Sequence, residues 1–167
     1  FGMGECIVYH SISKEKVVVS DISKDVKKWI KRITTPKDGY QICPYARGAK
    51  YKIYTHLDRA TIIEYAVNWK DEYDLILCEP ADTSMTVEDA LSIEQSCNFI
   101  AKNTITLLDH PKDPGYIDNE YTGNGKYILF LIQSKKDLQA ARKHLKTTSY
   151  YDRWTNEYYK EVVGEEK

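Results

Sequence analysis

The sequence predicts a single α+β domain in which helices pack on a mixed β-sheet of ferredoxin-like character. Three observations carry this expectation. The chain has 167 residues, 42% hydrophobic and 29% charged, which suits one soluble core. Its apolar residues alternate between helical spacing and short strand-like runs. Two strand candidates, Glu5–His10 and Lys16–Ser20, follow each other with only a polar turn between them, so the sheet is expected to be mixed. The domain is expected to span residues 3–167, with Phe1-Gly2 before Met3 read as an expression scar.

After those two strands, Asp21 is placed to cap a helix with Ile22, Val26, Trp29, Ile30 and Ile33 at helical spacing. Pro36 and Asp38-Gly39 end it with turn chemistry. A segment Tyr40–Gly48 follows, and Lys50–Thr55 alternates as a strand does. Asp58 caps the next helix, which carries Ile62, Ile63, Ala66 and Val67 on one face and is expected to reach about Glu72. Asp74–Cys78 is apolar on both faces and is expected to be a central strand, stopped by Pro80. Thr86 opens a helix with Val87, Ala90, Leu91, Ile93, Cys97 and Ile100 as its buried stripe. Thr104–Asp109 and Tyr127–Ile132 are strands, joined by a connection long enough to suggest a functional loop. Two helices close the chain, Lys136–Lys146 and Tyr150–Val163. The second carries Tyr151, Trp154, Tyr158 and Val162 as a stripe read as core packing.

Composition excludes several classes. The four cysteines, Cys6, Cys43, Cys78 and Cys97, contain no CxxC pair, so neither a disulfide framework nor a zinc ribbon is indicated. The apolar runs are too short to span a bilayer, and no signal segment is read at the start. A cytoplasmic protein without membrane contact is expected. No P-loop, GxGxxG, HExxH, GxSxG or EF-hand pattern occurs, so no cofactor or metal is expected. Nineteen Lys against five Arg, with 16 Ile and 14 Tyr, is the coding bias of an AT-rich genome, such as that of a phage or a small-genome bacterium.

The net charge of −1 hides a segregation. Residues 1–57 hold 11 Lys/Arg against 5 Asp/Glu, residues 58–120 hold 4 against 14, and residues 121–167 hold 9 against 6. The basic cluster runs from Lys24 to Lys52. It reads either as the solvated side of an amphipathic helix or as a face for an anionic ligand or acidic partner. The absence of an overall basic excess argues against nucleic acid.

Cys43 has the most specific chemical setting. Pro44 suits the first position of a helical turn, which would place the Cys43 thiol at the N-cap, with Arg47 adding positive charge. That setting favours thiolate; a small buried cysteine is the other reading. His110 ends a strand and opens the long loop, where it could act as proton partner or ligand, or simply face solvent. Gly123-Asn124-Gly125 reads as a tight turn, or as a loop whose Asn124 amide holds an anion.

These residues also carry a resemblance. Trp29 and then Gly39-Tyr-Gln-Ile-Cys-Pro-Tyr-Ala-Arg47 resemble the opening of a family of uncharacterised bacterial proteins. In that family a tryptophan helix precedes a Leu-Cys-Pro-Phe-Ala-Lys-like motif. The later order is also similar over about residues 25–145: His110-Pro111, a loop with Asp and Asn residues, Asn124, Lys126-Tyr127, a strand with Leu131, then a helix entered through Ser134–Leu138. This chain lacks the family's Thr-Asn-Arg-Ser-Pro and Leu-Arg-Glu segments. The resemblance implies a shared site around Cys43 and His110 and assigns no reaction. A glutaredoxin-type Cys-Pro-Tyr should follow a hydrophobic strand, whereas Lys27–Gly39 reads as helix and turn.

Two functions are therefore expected to compete. The first is a small enzyme acting on an anionic small molecule, with Cys43 and His110 catalytic and Arg47, Lys52, Tyr45 and Asn124 binding substrate. The second is a non-catalytic binding domain that docks an acidic partner or ligand on its basic N-terminal face, with homo-oligomers compatible with either. Metal binding through Cys43 and His110 has the right ligand types without supporting spacing.

Overall fold

The computed structural model describes residues 21–167, so the strand candidates Glu5–His10 and Lys16–Ser20, with Cys6, lie outside the described residues. Helix α1, Asp21–Thr34, opens the described chain with Val26, Trp29, Ile30 and Ile33 buried. Strand β1, Tyr51–Leu57, helix α2, Arg59–Val67, and strand β2, Leu75–Pro80, follow in order. Helix α3, Val87–Ile100, leads to strand β3, Thr104–Asp109. After the long connection come strand β6, Leu129–Ser134, and helix α4, Lys135–Leu145. The connection itself holds a two-residue hairpin, β4 Tyr116–Ile117 and β5 Glu120–Tyr121.

Among the described residues the main sheet has four strands in the order β1-β2-β6-β3. β1 and β2 pair in parallel, which α2 makes possible as the crossover. β6 runs antiparallel to both β2 and β3. β2, α3 and β3 thus form a β-α-β unit split by an antiparallel strand, the ferredoxin-like part of a mixed α+β sheet. β2 sits between two partners and is buried along nearly all its length, as its doubly apolar sequence requires.

Alternation along the strands separates two cores. Leu77 and Leu129 face α1 together with Tyr51 and Ile53. Ile76, Cys78, Phe130 and Ile132 face the other way, against Ile62 and Ala66 of α2 and Ala90, Ile93 and Cys97 of α3. The edge of β3 that meets no other strand among the described residues is covered by side chains of α3. Asn98 pairs its amide with both the N–H and the C=O of Thr106, at 2.8 and 2.9 Å, and Glu94 accepts from the N–H of Leu108.

Several elements differ from expectation: β2 runs through Pro80 instead of stopping before it, and β6 spans Leu129–Ser134 instead of Tyr127–Ile132. α2 ends at Val67 instead of near Glu72, because Asn68 closes the helix and the chain turns into β2. The terminal helix is broken into a 3₁₀ turn, Tyr150–Arg153, and α5, Asn156–Val163, because the Thr155 hydroxyl caps the N–H of Tyr158 and starts a new helix there. The aromatic stripe still packs as core. Tyr151, Trp154 and Tyr159 bury Ile117 of the hairpin in a third cluster.

That cluster decides the character of the long connection. Ile117 is held on one side by the C-terminal aromatics, and Tyr158 meets Thr122 through their hydroxyls at 3.4 Å. On the other side α1 grips three successive carbonyls. Trp29 Nε1 donates to Thr122 O at 3.0 Å, and the Arg32 guanidinium donates to Tyr121 O and Gly123 O. Asp118 and Asn119 turn the hairpin with φ of 48° and 66°, the two positive values of a type I′ turn. The connection, read from its length as a functional loop, is a clasp between α1 and the C-terminal segment.

Candidate functional site

Cys43 lies in a run of turns after α1. Its N–H donates to Ile33 O at 2.9 Å, and its carbonyl accepts from Ala46 N–H at 3.4 Å. This is an isolated turn, and no helix follows Pro44. The residue is half-buried and packs with Ile42 and Ala46 against the α1 core. Burial pushes the thiol above its ordinary range, and the N–H groups of Ala46 and Tyr45 offset this only in part. The expected helix-capping thiolate is therefore corrected to a thiol held neutral by desolvation.

His110 is 3% exposed, and both ring nitrogens are engaged. Lys112 N–H donates to Nδ1 at 3.0 Å, which leaves Nε2 to donate to Met85 O at 2.8 Å. The histidine ties the end of β3 to the segment that enters α3. Leu108, of the same strand parity, packs against the α2/α3 core, as does Met85. Cys43 belongs to the α1 core instead. Cys43 thus packs with the α1 core, whereas His110 bonds to Met85 of the α2/α3 core, and neither is a recorded partner of the other among the described residues.

Asn124 is equally committed. Its Nδ2 donates to Asp109 Oδ2 at 2.6 Å and to Tyr127 O at 2.9 Å, while Oδ1 accepts from the N–H groups of Lys126 and Tyr127. All its bonding capacity is spent on the turn, so the expectation that it holds an anion is corrected. Its partner Asp109 was not singled out from the sequence. Burial raises the Asp109 carboxyl above its ordinary value, against the pull of the Asn124 donors and the Arg32 charge.

Arg47 and Lys52 also part company. Arg47 is exposed in the turn segment beside α1. Lys52 shares its face of β1 with Tyr54, toward α2, and its ammonium stands 5.9 Å from the Tyr73 ring centre. Tyr45, next to Cys43, is 47% exposed and carries no ring partner among the described residues.

Two further features stand out among the described residues. On α1, Lys24, Lys27, Lys28 and Lys31 are all exposed, along a helix whose opposite side is core. Their spacing lines them up over about 10 Å. None of the four joins an ion pair among the described residues. The second feature is a cavity of about 560 Å³ between α2 and β1, floored by Ile76 and walled by Tyr54, Tyr65 and Tyr73. Sequence reading missed the cavity because its tyrosines come from a strand, a helix and a turn. The only available signal was Tyr54 and Tyr65 on apolar positions of adjacent elements. Comparison with family models, with curated proteins and with solved structures finds no match to this chain.

Proposed function

We propose that this is a non-catalytic binding domain that docks an acidic protein segment on the lysine face of α1. The observation that carries this reading is the row Lys24, Lys27, Lys28 and Lys31, exposed and outside any ion pair among the described residues. A helix with its apolar side fixed in the core presents those ammoniums at defined spacing, so little order has to be imposed on binding. The charge arrangement supports an acidic protein over nucleic acid. Residues 58–101, which form the α2/α3 layer and β2, carry ten Asp/Glu against two Lys/Arg, and that layer repels a polyanion long enough to reach around the molecule. The catalytic alternative needs Cys43 and His110 to meet, and the packing of Cys43 with the α1 core and the bond of His110 to Met85 of the other core favour the binding reading over it.

Titration of a labelled glutamate-rich peptide, followed by anisotropy, tests the proposal. Binding should weaken steeply with salt, because the charges are surface-exposed and screened. Replacing Lys24, Lys27, Lys28 and Lys31 with Gln should abolish it while changing stability by no more than about 0.5 kcal/mol per site, as surface changes do. Peptide affinity that survives the fourfold substitution, or a stronger preference for DNA of equal charge, would overturn the reading.

A further inference from the structure

The α2/α3 side of the sheet holds a cavity that the docking reading on α1 does not use. Ile76 at its floor and Tyr54, Tyr65 and Tyr73 on its walls belong to or pack against the α2/α3 core, whereas the lysine face rises from α1. The volume of about 560 Å³ falls in the range of small-molecule sites. Thr61, Glu64, Tyr65 and Asn68 recur at helical spacing along α2 and its cap, so one side of the helix lines the cavity. Tyr54 of β1 stacks on Tyr65 with ring centres 4.3 Å apart and planes 21° apart, which makes an aromatic wall.

The charged groups of the lining are Glu64, Glu72 and Lys70, two carboxylates against one ammonium. All three are exposed, and neither carboxylate joins an ion pair among the described residues. Lys50 and Lys52 do not line the cavity; their ammoniums stand 5.1 and 5.9 Å from the Tyr73 ring centre. The Tyr73 ring thus has cations of its own chain near it, which leaves the Tyr54–Tyr65 wall for a ligand. Farther out, residues 58–101 carry ten Asp/Glu against two Lys/Arg, so the field of this layer also draws positive charge. A tyrosine face attracts a cation within about 6 Å of its ring centre. Lining and surroundings select the same sign of ligand.

We propose that this cavity binds a quaternary ammonium compound, with its methyl groups on the Tyr54–Tyr65 wall and its charge offset by Glu64 and Glu72. A primary ammonium carries three N–H donors, each of which needs an acceptor. The carboxylates of the lining are exposed, so donors laid against the rings would be left short of partners. A quaternary ammonium has no donor to satisfy and spreads its charge over its methyl groups. It meets the ring surface without losing hydrogen bonds, and the exposed carboxylates act on it without direct contact. Burial pushes Tyr54 up to about 12, so its O–H stays protonated at neutral pH and the wall attracts through its ring faces, not as a phenolate.

Nuclear magnetic resonance titration separates shape from charge. The probes are choline, 3,3-dimethylbutanol, which has the same shape without the charge, and ethanolamine, which has the charge without the methyl groups. Choline should bind saturably in the micromolar to low millimolar range, with its N-methyl protons shifted upfield by the ring currents of the wall. The two controls should each bind about tenfold or more weakly than choline. Glu64→Gln combined with Glu72→Gln should weaken choline several-fold and leave 3,3-dimethylbutanol unchanged, and these exposed substitutions spare the core. Tyr65→Leu keeps an apolar side chain but removes the ring, so it should abolish the upfield shift; if circular dichroism shows that variant unfolded, the double glutamine variant decides. No saturation by choline would overturn the proposal. Either control binding as tightly as choline, or choline affinity unchanged in the double glutamine variant, would do the same. The peptide titration on α1 is independent, so either result can fail alone.

Discussion

A cysteine ahead of a proline turn is acidic only when its sulfur meets backbone N–H groups in a hydrated, electropositive place. Cys43 has the N–H groups of Tyr45 and Ala46, but burial outweighs them. The residue type and the proline were legible in the sequence; the depth of the sulfur was not, because it depends on packing against the α1 core. Cys43 should therefore alkylate with iodoacetamide at neutral pH more slowly than free cysteine, and mass spectrometry of partially labelled protein will show the rate. Labelling as fast as free cysteine would mean that the thiol is open to water. His110 teaches the same lesson. A histidine at a strand end reads as a candidate base, whereas here it is a buried cross-link between Lys112 N–H and Met85 O. His110→Ala strands both partners, so denaturant titration should register a loss of about 2 kcal/mol or more. A change within about 0.5 kcal/mol would indicate a surface histidine.

At the scale of elements, helices and central strands were legible because each has its own period and cap. Asp58, Thr86 and Ser134 each accept from an N–H three residues on, at the starts expected for α2, α3 and α4. The connection from His110 to Ile128 was not legible in the same way. Its order comes from distant partners, Trp29 and Arg32 on one side and Tyr158 on the other, and no local pattern announces them. The clasp also gives a pH dependence. Asp109 accepts from the N–H and the Nδ2 of Asn124, yet burial holds its carboxyl above the usual value of 3.8. Between that value and the raised one, the folded chain keeps a proton that the unfolded chain has released. Stability from this group therefore falls as pH rises through the window and is level above it. Asp109→Asn removes the titration. Relative to that variant, the natural chain should be more stable at acidic than at neutral pH, as paired denaturation curves would show. An unchanged or reversed difference would mean that the Asn124 donors and Arg32 outweigh burial.

At the scale of the molecule, the described residues form two cores on the main sheet plus a third cluster that the C-terminal segment brings to the α1 side. The sheet and the first two cores follow from alternation along β2 and β6. The third depends on Trp154, whose Nε1 donates to Tyr40 O–H at 2.7 Å and whose ring lies 4.7 Å from Tyr158 and 5.1 Å from Tyr151. Through these contacts one side chain joins the Cys43 turn segment, the hairpin at Ile117 and α5. Trp154→Ala should cost about 3–5 kcal/mol, the range for removing a buried aromatic. The damage should also be spatially selective. Amides of β2 and β6, with partners on both sides, should keep their hydrogen-exchange protection, while those of residues 111–127 and 40–48 should lose it together. Uniform loss across the sheet would mean that the aromatic cluster is part of one cooperative core. Protection retained in 111–127 would mean that Trp29 and Arg32 hold the connection without help from the C-terminal segment.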